Sequence, residues 1–403
     1  MVAFSHGTVA AITAAAKRYR DWACQDALPL WAERGRNEEG GFYENLMPDG
    51  TPDAGAETRT RVNARQVYCF SLAAWLGWHP DAARIAIDGE TFITRRCLRD
   101  PSFDGSGPFP GMGYLLAPDF AMIDDQVDTY SQAFYLLATG WLHRATGEAQ
   151  YLAKARRAVE FLDDHLAGPG GGWLEGDPAR LPRRQNPHMH LFEAFMALYQ
   201  ASQDDYYLDK ATHVFGLFEN YFFAPEDGVL LEFFGENWAP HPVSGRLIEP
   251  GHMMEWCWLL ALYAELTGRD LKPVISTMYQ QAERRGLNPK TGLLFDEVDL
   301  DGHATKPTHR SWAITEYLKA SIALARLGDA DAAAKIPAIT NRMFDAYLTA
   351  DIPGGWHDQR DADGAVITDR MPSSTFYHYL CACSELTDLA ASLTPDAKLA
   401  TTG

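Results

Sequence analysis

The sequence predicts an all-α protein: a closed (α/α)6 barrel of six helical hairpins, with short β-hairpin-like loops at one end. Three observations lead there. Glycine turns followed by an apolar or aromatic residue recur six times, marked by Gly41, Gly105, Gly172, Gly228, Gly292 and Gly355 at intervals of 56 to 67 residues, and a fixed period of this kind denotes a repeated supersecondary unit. Between successive markers lie two helix-like stretches, one amphipathic and one apolar nearly all round. Helices that are apolar on every side are buried on every side, so six surrounded helices within six half-solvated ones make two concentric rings. The units are longer and richer in loops than those of most open solenoids, which favours closure, and a closed ring needs no capping repeat.

Taken in order, helices are expected to begin near Gly7, Thr60, Asp81, Asp128, Gln150, Pro187, Asp205, Gly251, Asp270, Thr308, Asp329 and Ser373. Helical period is clear in the outer members. Leu152, Ala155, Val159, Leu162 and Leu166 share one face, as do Ala211, Val214, Phe215, Phe218 and Phe222. The stretch from Arg61 to Trp75, LFEAFMALYQA from Leu191 and the run after Gly251 lack a polar face and read as inner helices. Residues 1–395 are expected to form one domain, followed by a disordered tail over 396–403.

Composition narrows the partners. With 46% apolar residues and a net charge of −19, a chain of this size buries a large core and repels nucleic acid and anionic membranes. Two small basic clusters are Arg59/Arg61/Arg65 and Arg183/Arg184. The first residues lack the basic start and continuous apolar stretch of a signal peptide, and later apolar runs are too short or interrupted to span a bilayer. Six cysteines fall in helix-like segments without metal-ligand spacing, which reads as reduced core cysteines and a cytoplasmic protein. A homodimer is the assembly to test for.

If alternate helices form the inner ring, their amino ends open on one face, and polar groups crowd there. They are Arg65; Tyr130 and Gln132; Asn186, His188, His190 and Glu193; His252 and Glu255; Trp312 and Glu316; Ser374, Tyr377 and His378. Six distant segments thus wall one pocket. Helix amino ends favour oxyanions, aromatics suit the apolar faces of a sugar ring, and Arg, Gln, Glu and His match its hydroxyls. The expected guest is a carbohydrate.

The blocks ARQVYCFSLA (from Ala64), NPHMHLFEA (from Asn186), EPGHMMEWCWLL (from Glu249), SWAITEYLKA (from Ser311) and SSTFYHYL (from Ser373) resemble the N-acylglucosamine 2-epimerase superfamily, which includes mannose isomerases and cellobiose 2-epimerases. The resemblance runs over nearly the whole chain in the right order. It implies an (α/α)6 barrel acting on aldoses without a metal, with His252 and His378 as the acid/base pair and Arg65, His190, Glu255, Trp312 and Glu316 around the sugar. One branch is associated with a nucleotide effector, but GPGGGW from Gly168 lacks a phosphate-loop lysine, so neither nucleotide dependence nor a cofactor is expected.

These residues suit ring opening followed by removal of the C2 proton to a cis-enediolate. His378 is assigned as base at C2 and His252 as ring-opening or opposite-face partner, with Glu255 one turn later orienting or charge-stabilising that imidazole and Arg65 meeting the oxyanion; exchanging the two histidines fits the sequence equally. His252/Glu255 and His190/Glu193 also have metal-ligand spacing, but only Glu316 offers a further carboxylate, and no metal is expected. The leading expectation is an aldose–ketose isomerase converting mannose to fructose. A 2-epimerase on an aldose or N-acylhexosamine is the close alternative. A glycoside hydrolase would need an acidic pair across the scissile bond, whereas Glu193, Glu255 and Glu316 each neighbour a histidine or tryptophan; a non-catalytic sugar-binding protein is the remaining option. Arg59, Arg61, Arg183 and Arg184 leave room for a phosphorylated or sulfonated hexose.

Overall fold

The computed structural model describes residues 4–394; the expected tail at 396–403 lies outside them. The inner helices are Thr60–Trp75, Thr129–Thr146, Gln185–Ser202, Pro250–Thr267, Ser311–Arg326 and Ser373–Leu393. The outer ones are Ala82–Phe92, Ala149–His165, Asp205–Leu217, Lys272–Gly286, Ala330–Ala346 and the first helix, which runs His6–Trp22, widens into a π-helical turn at Ala23–Ala27 and resumes over Leu28–Glu33. Expected starts fall close to observed ones because the chain marks them chemically: the carboxylates of Asp128, Asp204 and Asp329 cap first-turn N–H groups. No helix among the described residues is long and apolar enough to cross a membrane.

Burial separates the rings as the patterns require. Every residue from Pro250 to Leu260 is buried, whereas Ala149–His165 buries only a stripe that includes Ala155, Val159 and Leu162. The last helix, Ser373–Leu393, packs on both the first inner helix and the first outer helix, so the ring is closed. All six cysteines are free, and five are buried.

Short strands stitch the face where the inner helices begin. Each inner helix follows a two-residue strand that pairs antiparallel with a loop strand of the next unit. Thr58–Arg59 lies on Leu115–Leu116, Val127–Asp128 on Gly176–Asp177, and Arg183–Arg184 on Phe233–Phe234. The circuit ends with Met371–Pro372 on Asn45–Leu46. The first helical N–H then donates to the same neighbouring loop: Thr60 to Tyr114 O, Thr129 to Glu175 O, Gln185 to Glu232 O, Ser311 to Asp358 O and Ser373 to Glu44 O. Pro250, which has no N–H, starts the remaining helix.

The glycine turns build these loops, with one correction. In the second unit the turn is made at Gly111, not Gly105: Met112 bridges Leu98 as Phe42 bridges Arg36 and Trp173 bridges Ala167. An inserted excursion carries Gly105 away to pack over Lys154. Aligned this way, the loops carry an acid at one equivalent position in five units, namely Glu44, Glu175, Glu232, Asp296 and Asp358, and Tyr114 in the sixth. Three of the acids grip the residue that precedes their own inner helix, Glu44 holding Arg59, Glu175 holding Arg184 and Asp296 holding Arg310 through both backbone N–H and guanidinium. This overturns the expectation that Arg59 is free to meet an anion.

Candidate active site

Superposing the six helix starts resolves the pocket into tiers. The second residues are Arg61, Tyr130, Asn186, Gly251, Trp312 and Ser374; the sixth are Arg65, Phe134, His190, Glu255, Glu316 and His378; the ninth are Tyr68, Leu137, Glu193, Trp258, Lys319 and Cys381. Steps of four and three residues keep one helical face toward the barrel axis. The sixth residues touch around the ring. Arg65 stacks on Phe134 at 4.1 Å and Phe134 on His190 at 4.5 Å, while donor atoms of Glu255, Glu316 and His378 lie within 4.8 Å of one another.

Above them opens a cavity of about 720 Å³ whose wall includes Arg65, Tyr130, Asn186, His190, His252 and His378, large enough for a sugar. Trp312 and Glu255 also line it. His252 and His378, far apart in the chain, flank one indole: the Trp312 centroid is 5.1 Å from the first imidazole and 5.5 Å from the second. Gly251 makes this possible, since a Cβ there would stand 2.5 Å from the Trp312 ring.

The two imidazoles are held in opposite protonation states. His252 Nδ1 lies 3.0 Å from Glu232 Oε2 and 3.7 Å from Glu249 Oε2. Burial opposes charge on this ring, but the two carboxylates outweigh it and hold its pKa up at about 9. An imidazolium donates from both nitrogens. Nε2 is 3.3 Å from the Asn186 amide nitrogen, and a half-turn of that amide brings its otherwise unpartnered oxygen round to accept. Burial, then Arg65 and Lys319, push His378 well below its ordinary value, so its imidazole is neutral. Its Nδ1 donates to Glu316 Oε1 at 2.7 Å, with the Lys319 ammonium 2.8 Å from the other oxygen, leaving Nε2 as the basic nitrogen.

Arg65 reaches Tyr130 OH at 2.5 Å and Ser374 O at 3.0 Å, and its Nε is buried without a partner. His190, not His188, faces the cavity. His188 is locked in the loops, accepting from Trp173 N and contacting Arg184 O, whereas His190 pairs with Glu193 at 3.2 Å and is driven by burial to a pKa of about 3, a neutral ring. Gln132 likewise serves the fold, binding the Met112 backbone.

Four expectations need correction. Glu193 and Glu316 do not line the cavity; they stand behind it, Glu193 on His190 and Tyr377 and Glu316 on His378 and Lys319. The hydrogen-bond partner of His252 is Glu232, with Glu249 nearby; Glu255 does not orient the ring by a hydrogen bond, although its charge adds to those that raise the His252 pKa, and one of its oxygens is buried unpaired. Arg183 is 1% exposed and spent on the carbonyls of Pro169, Gly171, Trp173 and Glu236, so it is not at the rim. Glu232, missed in the sequence, is signalled by the acid that recurs three or four residues after the turn glycine. Four His/carboxylate clusters among the described residues could ligate a metal, three around the cavity and one at Asp299, Asp301 and His303; in each an imidazole nitrogen is hydrogen-bonded to a carboxylate.

Comparison with known proteins agrees with this architecture. Residues 41–382 match the family described as N-acylglucosamine 2-epimerase (GlcNAc 2-epimerase). The chain is 36% identical to a mannose-6-phosphate isomerase of Rhizobium meliloti, over 91% of this chain and 95% of that one. It is 26% identical to a cellobiose 2-epimerase of Bacteroides fragilis over 89% and 95%. The solved cellobiose 2-epimerase of Spirochaeta thermophila superposes with a TM-score of 0.82 at 22% identity, covering 94% of this chain and 98% of that one.

Proposed function

Since the chain belongs to the N-acylglucosamine 2-epimerase family, we propose that it is an aldose–ketose isomerase acting on a hexose of mannose configuration through a cis-enediolate. The observation that carries this reading is the pair of oppositely protonated imidazoles on one cavity, because an acid and a base whose pKa values are pushed apart are what proton transfer at a sugar carbonyl requires. His252, as imidazolium, protonates the ring oxygen as the C1–O5 bond breaks and takes up the proton that the O1 hydroxyl releases, leaving the open-chain aldehyde and a recharged imidazolium. His378 Nε2 removes the C2 proton, and Arg65, with its unpartnered Nε, meets the charge developing on O1 and O2. His378 then returns its proton to C1 on the same face while a proton passes from O2 to O1, which yields the ketose. Isomerisation needs no second carbon acid, and the relative of 36% identity is named for an isomerase.

A second reading, 2-epimerisation, is favoured by the charge on His252: an imidazolium on the cavity wall could reprotonate C2 from the opposite face. The glycosidase alternative lacks a pair of free acids: of the cavity carboxylates, Glu175 is bound by Arg184, Asp358 by Ser311 and Thr375, Asp128 by Ser131 and Glu249 by Arg310, which leaves Glu255 alone. NMR of aldohexoses in heavy water, free and bearing a charged group at C6, separates the readings. Ketose carrying deuterium at C1 is expected, and an aldose epimer labelled at C2 without ketose would transfer the proposal to the epimerase. His378→Ala is expected to lower turnover by about 10²–10⁴-fold with a native thermal midpoint; retention of activity within tenfold would remove His378 as the base.

A further inference from the structure

We infer that Arg61 and Arg180 form an anion subsite for a phosphate or sulfonate carried by the hexose at the end away from the reacting carbons; this rests on the isomerase reading of the same cavity. The argument begins with an interruption. The acid of the loop repeat becomes Tyr114 in one unit only, and beside that position the cavity wall holds a guanidinium with no counter-ion. Arg61 lies 5.5 Å from the Tyr114 ring centroid and 5.3 Å from that of Tyr130. It makes no ion pair among the described residues, and neither does Arg180. The other guanidiniums on the wall are occupied: Arg59 by Glu44, Arg184 by Glu175, Arg310 by Asp296 and Glu249, and Arg65 by Tyr130 and Ser374.

Both of these cations line the cavity, and their neighbours share one segment of its wall. Arg180 Nη2 lies 3.1 Å from where a Cβ on Gly176 would stand, and Gly176 pairs with Asp128, two residues before Tyr130. Asp128, the acid of this segment, forms no ion pair with either among the described residues; its two oxygens accept from the Ser131 N–H and hydroxyl. Contact with the two rings holds the Arg61 guanidinium at the wall without consuming its charge, and a free guanidinium fork suits bidentate binding of a tetrahedral oxyanion. Tyr130 spans both regions: its ring faces Arg61, while its hydroxyl takes Arg65 and its edge meets His190 at 5.1 Å. An anion on Arg61 and Arg180 would thus belong to the molecule whose carbonyl lies at Arg65 and His378. In a protein of net charge −19, such a local excess of positive charge selects for anionic substrate.

The test compares kcat/KM for mannose 6-phosphate, a 6-sulfonated hexose and mannose, in the wild-type protein and in Arg61→Gln, Arg180→Gln and the double variant. The wild type is expected to favour the anionic sugars by about 100-fold or more, each substitution to reduce that ratio by about 10- to 100-fold, and the double variant to bring it near one. Arg180→Lys should retain part of it, and inorganic phosphate should compete with the hexose phosphate. Equal ratios in wild type and double variant would overturn the subsite, as would phosphate stimulating turnover of mannose without competing, which denotes a separate effector site. Isomerisation of mannose with no preference for its charged forms sinks this inference and leaves the isomerase standing. If no sugar is isomerised the enzyme reading fails, and calorimetric binding of mannose 6-phosphate to wild type and double variant still decides the subsite: equal affinity refutes it.

Discussion

Glu232 and His252 are held together by folding, since twenty residues separate them and only the loop–helix stitching brings Oε2 to 3.0 Å from Nδ1. The folded pKa of this histidine, about 9, is raised above the ordinary 6.5. The pair's contribution to stability is therefore fully present below about pH 6.5 and is lost as pH rises through 9. If the imidazolium is the ring-opening acid, kcat/KM falls over the same alkaline range. Replacing Glu232 with Gln removes the largest charge opposing deprotonation, so the alkaline limb should move down by at least about one pH unit, equivalent to ~1.4 kcal/mol, with Glu249 retaining part of the shift. A pH–rate profile of both proteins checks this; a limb that stays near 9 in the variant would show that another group titrates there.

At the scale of elements, the helices were legible and the contacts between them were only partly so. Capping aspartates, turn glycines and the contrast between Ala149–His165 and Pro250–Thr267 are local signals, which one stretch of chain carries by itself. His252 with Glu255 one turn on looked like a pair because local period makes such spacing visible; the true partner came from another loop. Glu193 and Glu316 were placed against the sugar for a similar reason. Helical phase puts the sixth and ninth residues on one face but does not say how far the cavity descends, and the tiers become visible only when six helix starts are set in register. The loops make a further demand at the closing unit. Gly354 has φ +82°, and a Cβ there would lie 2.6 Å from the backbone C and O of Asp26, in the π-helical turn of the first helix. Gly354→Ala is expected to destabilise by about 1–3 kcal/mol, through conformational strain and displacement of that turn together. Urea denaturation would measure it, and an unchanged midpoint would mean that the turn yields freely.

For the whole molecule, closure is what sets His378 in place. The last helix lies on the first inner helix, where Gln66 Nε2 donates to Ser373 O at 2.8 Å and Arg65 to Ser374 O, and its outer side is covered by the first helix, whose Tyr19 hydroxyl donates to Tyr379 O at 2.7 Å. Trp31, fully buried, completes the seam by stacking 5.2 Å from Trp356 and 5.8 Å from Phe376, two residues before His378. In an open solenoid a defect near one terminus stays local, because each repeat touches only its neighbours. In a closed ring the first and last helices are neighbours, and the defect reaches the tier that holds His378. Trp31→Ala should therefore cost about 3–5 kcal/mol, as large aromatic truncations in a packed core do, and should lower turnover although Trp31 does not line the cavity. Urea unfolding followed by far-UV circular dichroism, with steady-state kinetics on the same preparation, tests both consequences. A destabilised variant with wild-type turnover would mean that the inner ring alone positions His378 and that the seam serves stability only.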